Sequence, residues 1–280
     1  MQAVGLVRLI RPRQWVKNAF VLAPVVFARE YGDIAAVSKA LFAFAFFCIA
    51  SSASYVANDL HDLERDRRHP AKRLSRPIAA GVVSPSAALV VLGTLYAILA
   101  GCWFVAPRVG MVVVAYLALN LLYTFFLKNQ PVLDIFSIAI GFVLRVYAGA
   151  VALSVPLSSW MAITTLCLAL YLAAIKRRQE LASSGSEARE VLRKYSVALV
   201  DRFAEMSATG ALVFYSLYVM STNSLLVGTI PLVIFGLFRY WYVVDTLDGG
   251  ESPTDALLTD VQLMLTVLAW VGVCVWMLLP

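Results

Sequence analysis

Charged side chains are scarce in this 280-residue sequence: they make up 14% of it, against about 25% in an ordinary soluble domain. Hydrophobic residues account for 61%, and the mean hydropathy is +0.81. A soluble fold is excluded because there is too little charge, and intrinsic disorder is excluded because there is too much apolar surface. The composition predicts a polytopic membrane protein.

Cysteine and histidine are also scarce, which excludes several kinds of site. The four cysteines lie singly within apolar runs without CxxC spacing, so we expect neither a disulfide framework nor a cysteine-ligated metal. With only two histidines, the chain shows no Ser/His/Asp or Cys/His constellation for nucleophilic catalysis. No cleavable signal peptide is expected, because the short apolar start leads directly into Arg11-Pro12-Arg13.

Apolar runs of membrane-spanning length recur along the chain. A hydrocarbon core of about 30 Å needs about 20 apolar residues at about 1.5 Å per residue. Nine windows approach that length, near 16–28, 38–57, 86–105, 109–127, 132–152, 158–175, 204–222, 225–243 and 259–279. We therefore expect an all-α fold, a single domain over residues 1–280, with nine transmembrane helices around a central cavity open to the cytoplasmic face.

Basic residues divide unevenly between the two sides of these predicted helices. Nineteen of the 23 fall on one side, three on the other (Arg29, Lys39 and Arg108), and Arg145 lies within a helix. The positive-inside rule places the richer side in the cytoplasm and the C-terminus outside, in what we expect to be a bacterial inner (plasma) membrane. The net charge of +6 then reflects topology, and no nucleic-acid partner is expected.

Acidic residues are concentrated on the same predicted side, where 15 of the 17 lie. Membrane insertion does not require acidic residues on one side. Their concentration there favours polar chemistry at the cytoplasmic ends of the helices. The expected active-site loops are the connections near 58–84, 128–133, 176–202 and 239–258.

The connection after the second predicted helix carries the most specific pattern. Asp59, Asp62 and Asp66 have the spacing i, i+3, i+7, which places them on one face if the helix continues. Three carboxylates that repel one another predict a cation between them, and Mg²⁺ suits these ligands, with an oxygen of Asn58 in addition. The alternative is that neighbouring arginines only neutralise a solvated helix end.

A basic segment, KRLSRPIAAG over residues 72–81, follows the aspartates. An extended stretch set by proline and a glycine turn would let Lys72, Arg73 and Arg76 fold back over the acidic face. An acidic stripe followed by a basic clamp is the arrangement expected for a magnesium-bound diphosphate.

These two segments, N-D-x-x-D-x-x-x-D and K-R-x-x-R-P-I-x-x-G, resemble the UbiA-type intramembrane prenyltransferase superfamily, and the resemblance covers essentially the whole chain. That superfamily has nine transmembrane helices and typically a second aspartate-rich motif after the sixth. Here the equivalent stretch reads YLAAIKRRQEL, residues 171–181, without an aspartate. Together with RPRQWVKN over residues 11–18, this departure resembles the decaprenyl-phosphate phosphoribosyltransferase branch.

The resemblance implies a Mg²⁺-dependent transfer of 5-phosphoribosyl from 5-phosphoribosyl 1-diphosphate (PRPP) to a polyprenyl (decaprenyl-type) monophosphate. Pyrophosphate would be released, in the first step towards a polyprenyl-phospho-arabinose donor. Asp59, Asp62 and Asp66 would be catalytic and, with Asn58, would bind the metal. The expected substrate contacts are polar and basic residues, namely Lys17, Asn18, Lys72, Arg73, Arg76, Tyr123, Lys128, Arg145, Lys176, Arg177 and Glu180. The resemblance also allows a homotrimer.

Three of these contacts have a structural alternative. Lys128 either meets a phosphate or extends to the interface as a topology charge. Arg145 either lines the cavity or bonds another helix, and it lies about 16 Å from Asp134 along the helix, too far to pair. Glu180 either contacts a substrate hydroxyl or pairs with its basic neighbours.

Two other functions remain open. A true prenyltransferase would join a polyprenyl diphosphate to an aromatic or other acceptor, but the missing second aspartate motif counts against it. A transporter or lipid-handling scaffold would also suit intramembrane charges, but the sequence shows no internal repeats with interrupted helices.

Overall fold

The computed structural model describes residues 2–68, 72–184, 190–246 and 253–279, and the regular structure within these ranges is helical, which confirms the all-α prediction. The α-helices are α1 Gln2–Ile10, α2 Ala23–Phe27, α3 Ile34–His61, α4 Leu63–Arg68, α5 Lys72–Ser75, α6 Pro85–Val105, α7 Pro107–Phe125, α8 Leu133–Leu153, α9 Ser159–Ser184, α10 Val197–Thr222, α11 Ile230–Thr246, α12 Pro253–Thr259 and α13 Val261–Met277. Between them lie 3-10 segments at Pro12–Leu22, Glu30–Gly32, Leu127–Asn129, Glu190–Lys194 and Ser224–Thr229.

Seven described segments are long and apolar enough to cross a membrane: Ile34–His61, Pro85–Val105, Pro107–Phe125, Leu133–Leu153, Ser159–Ala182, Val197–Thr222 and Ser224–Thr246. The chain is therefore a multi-pass membrane protein. The first and last predicted windows fall short of this length. Residues 12–27 form a 3-10 segment followed by the five-residue α2, and α13 is apolar but has 17 residues.

Side-chain caps and prolines fix where several long helices begin. Asp33, Ser84, Ser196 and Asp260 each accept a hydrogen bond from a backbone N–H in the first turn of the helix that follows. Proline in the first turn of α6 and α7 costs no hydrogen bond, because the N–H groups of that turn have no helical partner.

The 3-10 segment Pro12–Leu22 packs inside the helical bundle, against α3 and α8. Asn18 and Val21 are buried there. Gly149 of α8 permits the close approach, because a Cβ atom at this position would lie 2.0 Å from the carbonyl oxygen of Val21. The segment thereby forms part of the bundle interior.

The predicted loop over 176–202 is largely helical. Helix α9 continues past the apolar window that ends near residue 175 and reaches Ser184, because Lys, Arg, Gln, Glu, Leu and Ala are strong helix formers. Lys176, Arg177 and Glu180 consequently lie on a helical extension. Helix α10 also starts earlier than predicted, at Val197.

Helices α3, α7, α8 and α9, together with the segment Pro12–Leu22, enclose a cavity of about 300 Å³, at the lower end of the usual range for ligand sites. Apolar clusters on either side hold these walls in place. One joins α3, α6, α7 and α8, and another joins α9, α10, α11 and α12.

Candidate active site

The aspartate motif lies where α3 passes into α4. The helix is interrupted at Asp62, yet the N–H of Asp62 donates to the carbonyl of Asn58 at 2.9 Å and the N–H of Asp66 to the carbonyl of Asp62 at 2.8 Å. The backbone therefore continues almost as one helix, and all three aspartates are buried. Asn58, Asp62 and Asp66 line the cavity, whereas Asp59 does not.

Cations hold the carboxylates of Asp59 and Asp62. Arg11 Nη2 donates to both oxygens of Asp59, at 2.5 and 2.7 Å, and Arg76 pairs with the same carboxylate. Asp62 accepts from Lys128 Nζ at 2.7 Å and from Arg65 at 3.0 Å. Buried carboxylates need such partners because desolvation of a charge is costly.

Lys128 is buried beside Asp62 and lines the cavity, so it does not extend to the interface as a topology charge. Tyr123, close to it in sequence, also lines the cavity. In the described part of the chain, no three His, Cys, Asp or Glu side chains are grouped closely enough to form a metal site.

The basic segment returns to the aspartate motif through Arg76. The carbonyl of Pro77 accepts from the N–H groups of Val82 and Val83, and Gly81 closes the turn with φ +72°, so the predicted glycine turn is present. The predicted extended stretch is instead the short helix α5. Arg73 is exposed and does not line the cavity, and the side chain of Lys72, like residues 69–71, lies outside the described part of the structure.

Arg145 lines the cavity from the middle of α8, with 5% of its surface exposed. Its Nε donates to Asn18 Oδ1 at 2.8 Å, Nη1 to the carbonyl of Gly141 at 2.8 Å, and Nη2 to the hydroxyl of Tyr116 at 3.0 Å. Both sequence alternatives therefore apply, since Arg145 faces the cavity and also bonds another segment. Asn18 is buried behind it and does not line the cavity.

Helix α9 contributes Lys176 and Arg177 to the cavity wall. Arg177 is 1% exposed: its Nε lies 3.4 Å from Asp134 Oδ2, and its Nη1 pairs with Glu180. Of the two alternatives for Glu180, the ion pair with a basic neighbour is the one present. Asp134 Oδ1 in turn accepts from the hydroxyl of Tyr195 at 2.7 Å.

Three residues of this site were not assigned by the sequence: Arg11, Asp134 and Tyr195. Arg11 lies within the RPRQWVKN segment and could have been assigned with it. Asp134 begins a predicted transmembrane helix, and a charged residue at such a position indicates a functional site. Tyr195 carries no such signal, because it lies 61 residues from the carboxylate that it contacts.

The cavity is also partly apolar. Its walls include side chains suited to an isoprenoid or to the non-polar face of a sugar, namely Val16, Phe20, Leu119, Ile138, Phe142, Leu172 and Leu257. Acidic, basic and apolar surfaces therefore meet in one enclosed space.

Known proteins resemble this chain over most of its length. Residues 19–258 match the UbiA prenyltransferase family. The decaprenyl-phosphate phosphoribosyltransferase of Mycobacterium tuberculosis is 39% identical over 96% of this chain and 92% of its own. The protein of the same name from Corynebacterium glutamicum is 36% identical over 96% and 85%.

The fold is shared with solved structures. A UbiA homolog from Archaeoglobus fulgidus bound to GPP and Mg²⁺ superposes with a TM-score of 0.73 at 16% identity, over 98% of this chain and 99% of that one. The resemblance seen in the sequence motifs is thus confirmed: the chain belongs to the UbiA prenyltransferase family.

Proposed function

We propose that this protein transfers a 5-phosphoribosyl group from PRPP to a polyprenyl (decaprenyl-type) monophosphate and releases pyrophosphate. The observation that carries the proposal is the cavity, where an acidic wall faces several separate cations beside apolar side chains. Two anionic substrates, one of them a lipid, need this combination. Relatives with that activity in their names, 36–39% identical over nearly the whole chain, support it.

The acidic wall has donors that suit Mg²⁺, which takes one or two carboxylates together with phosphate oxygens. Asn58, Asp62 and Asp66 would hold the ion, and Asp59 would join them if Arg11 and Arg76 released it. A bound Mg²⁺ would neutralise the charge that develops on the departing pyrophosphate. The solved relatives bound to Mg²⁺ with DMAPP or GPP support the use of a divalent ion.

Cationic side chains would bring the two anions together. Arg76 and Lys128 already contact the aspartates, so they lie within reach of a diphosphate bound there. Lys176, which lines the cavity from α9, would offset the repulsion between the substrates. Contacts from Lys72, Arg73, Tyr123, Arg177 and Glu180 remain predictions.

The acceptor needs little activation. A phosphate monoester is already anionic near neutral pH, so one of its oxygens can attack ribose C1 while the bond from C1 to the pyrophosphate breaks. No general base is required, which agrees with the absence of a catalytic triad pattern from the sequence.

The proposal includes the topology. We place the cavity mouth in the cytoplasm of a bacterial cell, where PRPP would be available, with nine spans in which residues 12–27 and α13 complete the seven long ones. The product would be a precursor of a polyprenyl-phospho-arabinose donor. A homotrimer remains a prediction.

A pyrophosphate-release assay tests the proposal. Purified protein is given PRPP and a polyprenyl phosphate, with Mg²⁺ or with EDTA, and in parallel a prenyl diphosphate with an aromatic acid. We expect pyrophosphate only from the first pair and only with Mg²⁺. Release from the prenyl diphosphate alone would identify a true prenyltransferase, and binding of lipid phosphate without release from either pair would indicate a lipid-handling scaffold.

A further inference from the structure

Arg145 is a buried cation whose hydrogen-bond partners are all neutral. They are an amide oxygen, a backbone carbonyl and a phenol oxygen, and within the described residues no carboxylate forms an ion pair with it. The residue lies 12 positions into α8, about 18 Å along the helix. Its guanidinium also lies over the rings of Tyr116 and Phe142, 4.8 and 5.1 Å from their centroids, and these contacts offset part of the charge. A full positive charge at such depth is still costly without an anion, which points to one supplied by a ligand.

Asn18 holds this guanidinium from behind. Its Oδ1 accepts from Arg145 Nε at 2.8 Å, and its Nδ2 donates to Ser51 Oγ of α3 at 3.1 Å. Asn18 is completely buried, so the geometry is fixed on both sides. A guanidinium has five N–H donors, and three are engaged here, which leaves two for a ligand in the cavity.

Lys17 provides a second cation on this wall. It lines the same cavity and lies within electrostatic range of the cations Arg145 and Arg11 and of the carboxylate of Asp255. One carboxylate offsets at most one of the two positive charges on Lys17 and Arg145. Because position 18 carries an amide and not a carboxylate, this part of the cavity keeps a net positive charge.

We propose that Lys17 and Arg145 form a subsite for a phosphate monoester, and that Asn18 is the residue that positions Arg145. The proposal rests on the proposed function, which brings two phosphate monoesters into the cavity: the 5-phosphate of PRPP and the phosphate of the polyprenyl acceptor. A monoester carries a charge of about −1.5 to −2 near pH 7, which matches two cations. The diphosphate belongs to the acidic wall.

The test uses Asn18→Asp, which supplies the missing carboxylate in a side chain of the same shape. The substituted side chain would still accept from Arg145 Nε but could no longer donate to Ser51 Oγ and Cys48 Sγ, so an unchanged size-exclusion profile in detergent first establishes that the variant is folded. The new ion pair would compete with the ligand for Arg145. We expect at least about tenfold weaker binding of the monoester, because hydrogen bonds to charged groups are worth about 1.5–3 kcal/mol.

Asn223→Asp is the matched control. It is the same chemical change at the start of the segment Ser224–Thr229, where an aspartate keeps the cap on the N–H of Leu225 and loses, as at position 18, an amide donor, here to the carbonyl of Met277 at 3.4 Å. Asn223 does not line the cavity, so both ligands should bind this variant as they bind the wild type. Lys17→Gln serves as a second cavity variant that leaves the Asn18 contacts intact.

Two probes distinguish the source of the phosphate. Ribose 5-phosphate and a short polyprenyl phosphate are each titrated against wild type and variants, with thermal stabilisation in detergent as the readout, and KM is measured for PRPP and for the lipid. Weaker ribose 5-phosphate binding and a raised KM for PRPP alone assign the subsite to the sugar phosphate. The same losses for the lipid alone assign it to the acceptor.

Unchanged binding of both probes by Asn18→Asp and Lys17→Gln would overturn the subsite. Equal loss of both probes by Asn223→Asp would overturn it too, because the effect would then not come from the cavity wall. A wild type that releases no pyrophosphate refutes the proposed function separately, since the binding measurements do not depend on turnover.

Discussion

Asp62 is the aspartate through which the proposed chemistry can be tested most directly. It is buried, lines the cavity and pairs with Lys128 at 2.7 Å. Asp62→Asn keeps an oxygen for Lys128 but removes the charge that Mg²⁺ needs. We expect turnover to fall by about 10²–10³-fold, measured as pyrophosphate release, while the size-exclusion profile in detergent is unchanged.

Glu64→Gln is the control for this substitution. Glu64 belongs to the same acidic stretch, but its side chain is 73% exposed, pairs with Arg67 at the surface and does not line the cavity. Its activity should stay within about twofold of the wild type, since exposed pairs contribute little. Near-normal turnover of Asp62→Asn with Mg²⁺ present would refute a metal role for Asp62.

Tyr195 anchors the ion pair between Asp134 and Arg177. Its hydroxyl donates to Asp134 Oδ1 at 2.7 Å and accepts from the N–H of Val132 at 2.6 Å, and Val132 has φ +69°, a conformation that a β-branched residue rarely adopts. Tyr195→Phe removes the donor to the buried Asp134 Oδ1 and the acceptor of the Val132 N–H. We expect a loss of about 1–3 kcal/mol in stability, seen as a lower melting temperature in detergent.

Tyr147→Phe controls for the loss of a tyrosine hydroxyl, because Tyr147 lies on α8 but is exposed. If the two tyrosine variants melt at the same temperature, Tyr195 does not hold the Asp134–Arg177 pair. A fall in the melting temperature of the Tyr195 variant together with a raised KM would instead show that Arg177 needs this support to face the substrate.

At the scale of single residues, the sequence predicted which residues belong to the site better than it predicted which side chains contact one another. The spacing of Asp59, Asp62 and Asp66 predicted a shared face, and the structure places Asp62 and Asp66 on the cavity wall beside Asn58. Asp59 does not line the cavity and instead contacts Arg11, 48 residues away, and Arg76. No local periodicity encodes a long-range pair, so that contact could not have been predicted.

For the helices, apolar length predicted the spans well but not their ends. The window that ends near residue 175 reflects where the apolar run stops, whereas α9 continues to Ser184 through strong helix formers, with Leu181 packed against the neighbouring apolar cluster. The predicted first span is not a single long α-helix. Residues 12–27 contain Pro12, Pro24 and several polar side chains, so they form a 3-10 segment within the bundle.

The contact between this segment and α8 depends on Gly149. A methyl group there would lie 2.0 Å from the carbonyl oxygen of Val21, which is backbone and cannot rotate away. Gly149→Ala should therefore separate the two elements and lower stability by about 1–3 kcal/mol, the usual cost of overpacking. Thermal unfolding in detergent measures the effect.

Gly101→Ala provides the comparison, because Gly101 lies within α6 and nothing is within 4 Å of a Cβ atom built there. Alanine is favoured over glycine in a helix by about 0.5–1 kcal/mol, so this variant should be as stable as the wild type or more so. Equal stability of the two alanine variants would show that the segment Pro12–Leu22 is not held against α8.

For the molecule as a whole, composition determined the class of protein, and the distribution of charge predicted its orientation. The structure places Asp62, Asp66, Arg76, Lys128, Lys176 and Arg177 around one cavity, as expected if one end of the bundle faces the cytoplasm. The number of spans depends on residues 12–27 and on α13, whose 17 residues are just short of the length that crosses a bilayer of about 30 Å without local thinning.

Reporter fusions test whether α13 crosses the membrane. Alkaline phosphatase, active only outside the cytoplasm, and green fluorescent protein, fluorescent only inside, are fused in turn after Ser184 and after the C-terminal residue. If α13 spans the membrane, the fusion after Ser184 fluoresces and the C-terminal fusion has phosphatase activity, because Arg177, Arg178, Arg193 and Lys194 keep the α9–α10 connection inside. Fluorescence at both positions would mean that α13 lies along the inner surface, and phosphatase activity after Ser184 would place the cavity mouth on the side that PRPP does not reach.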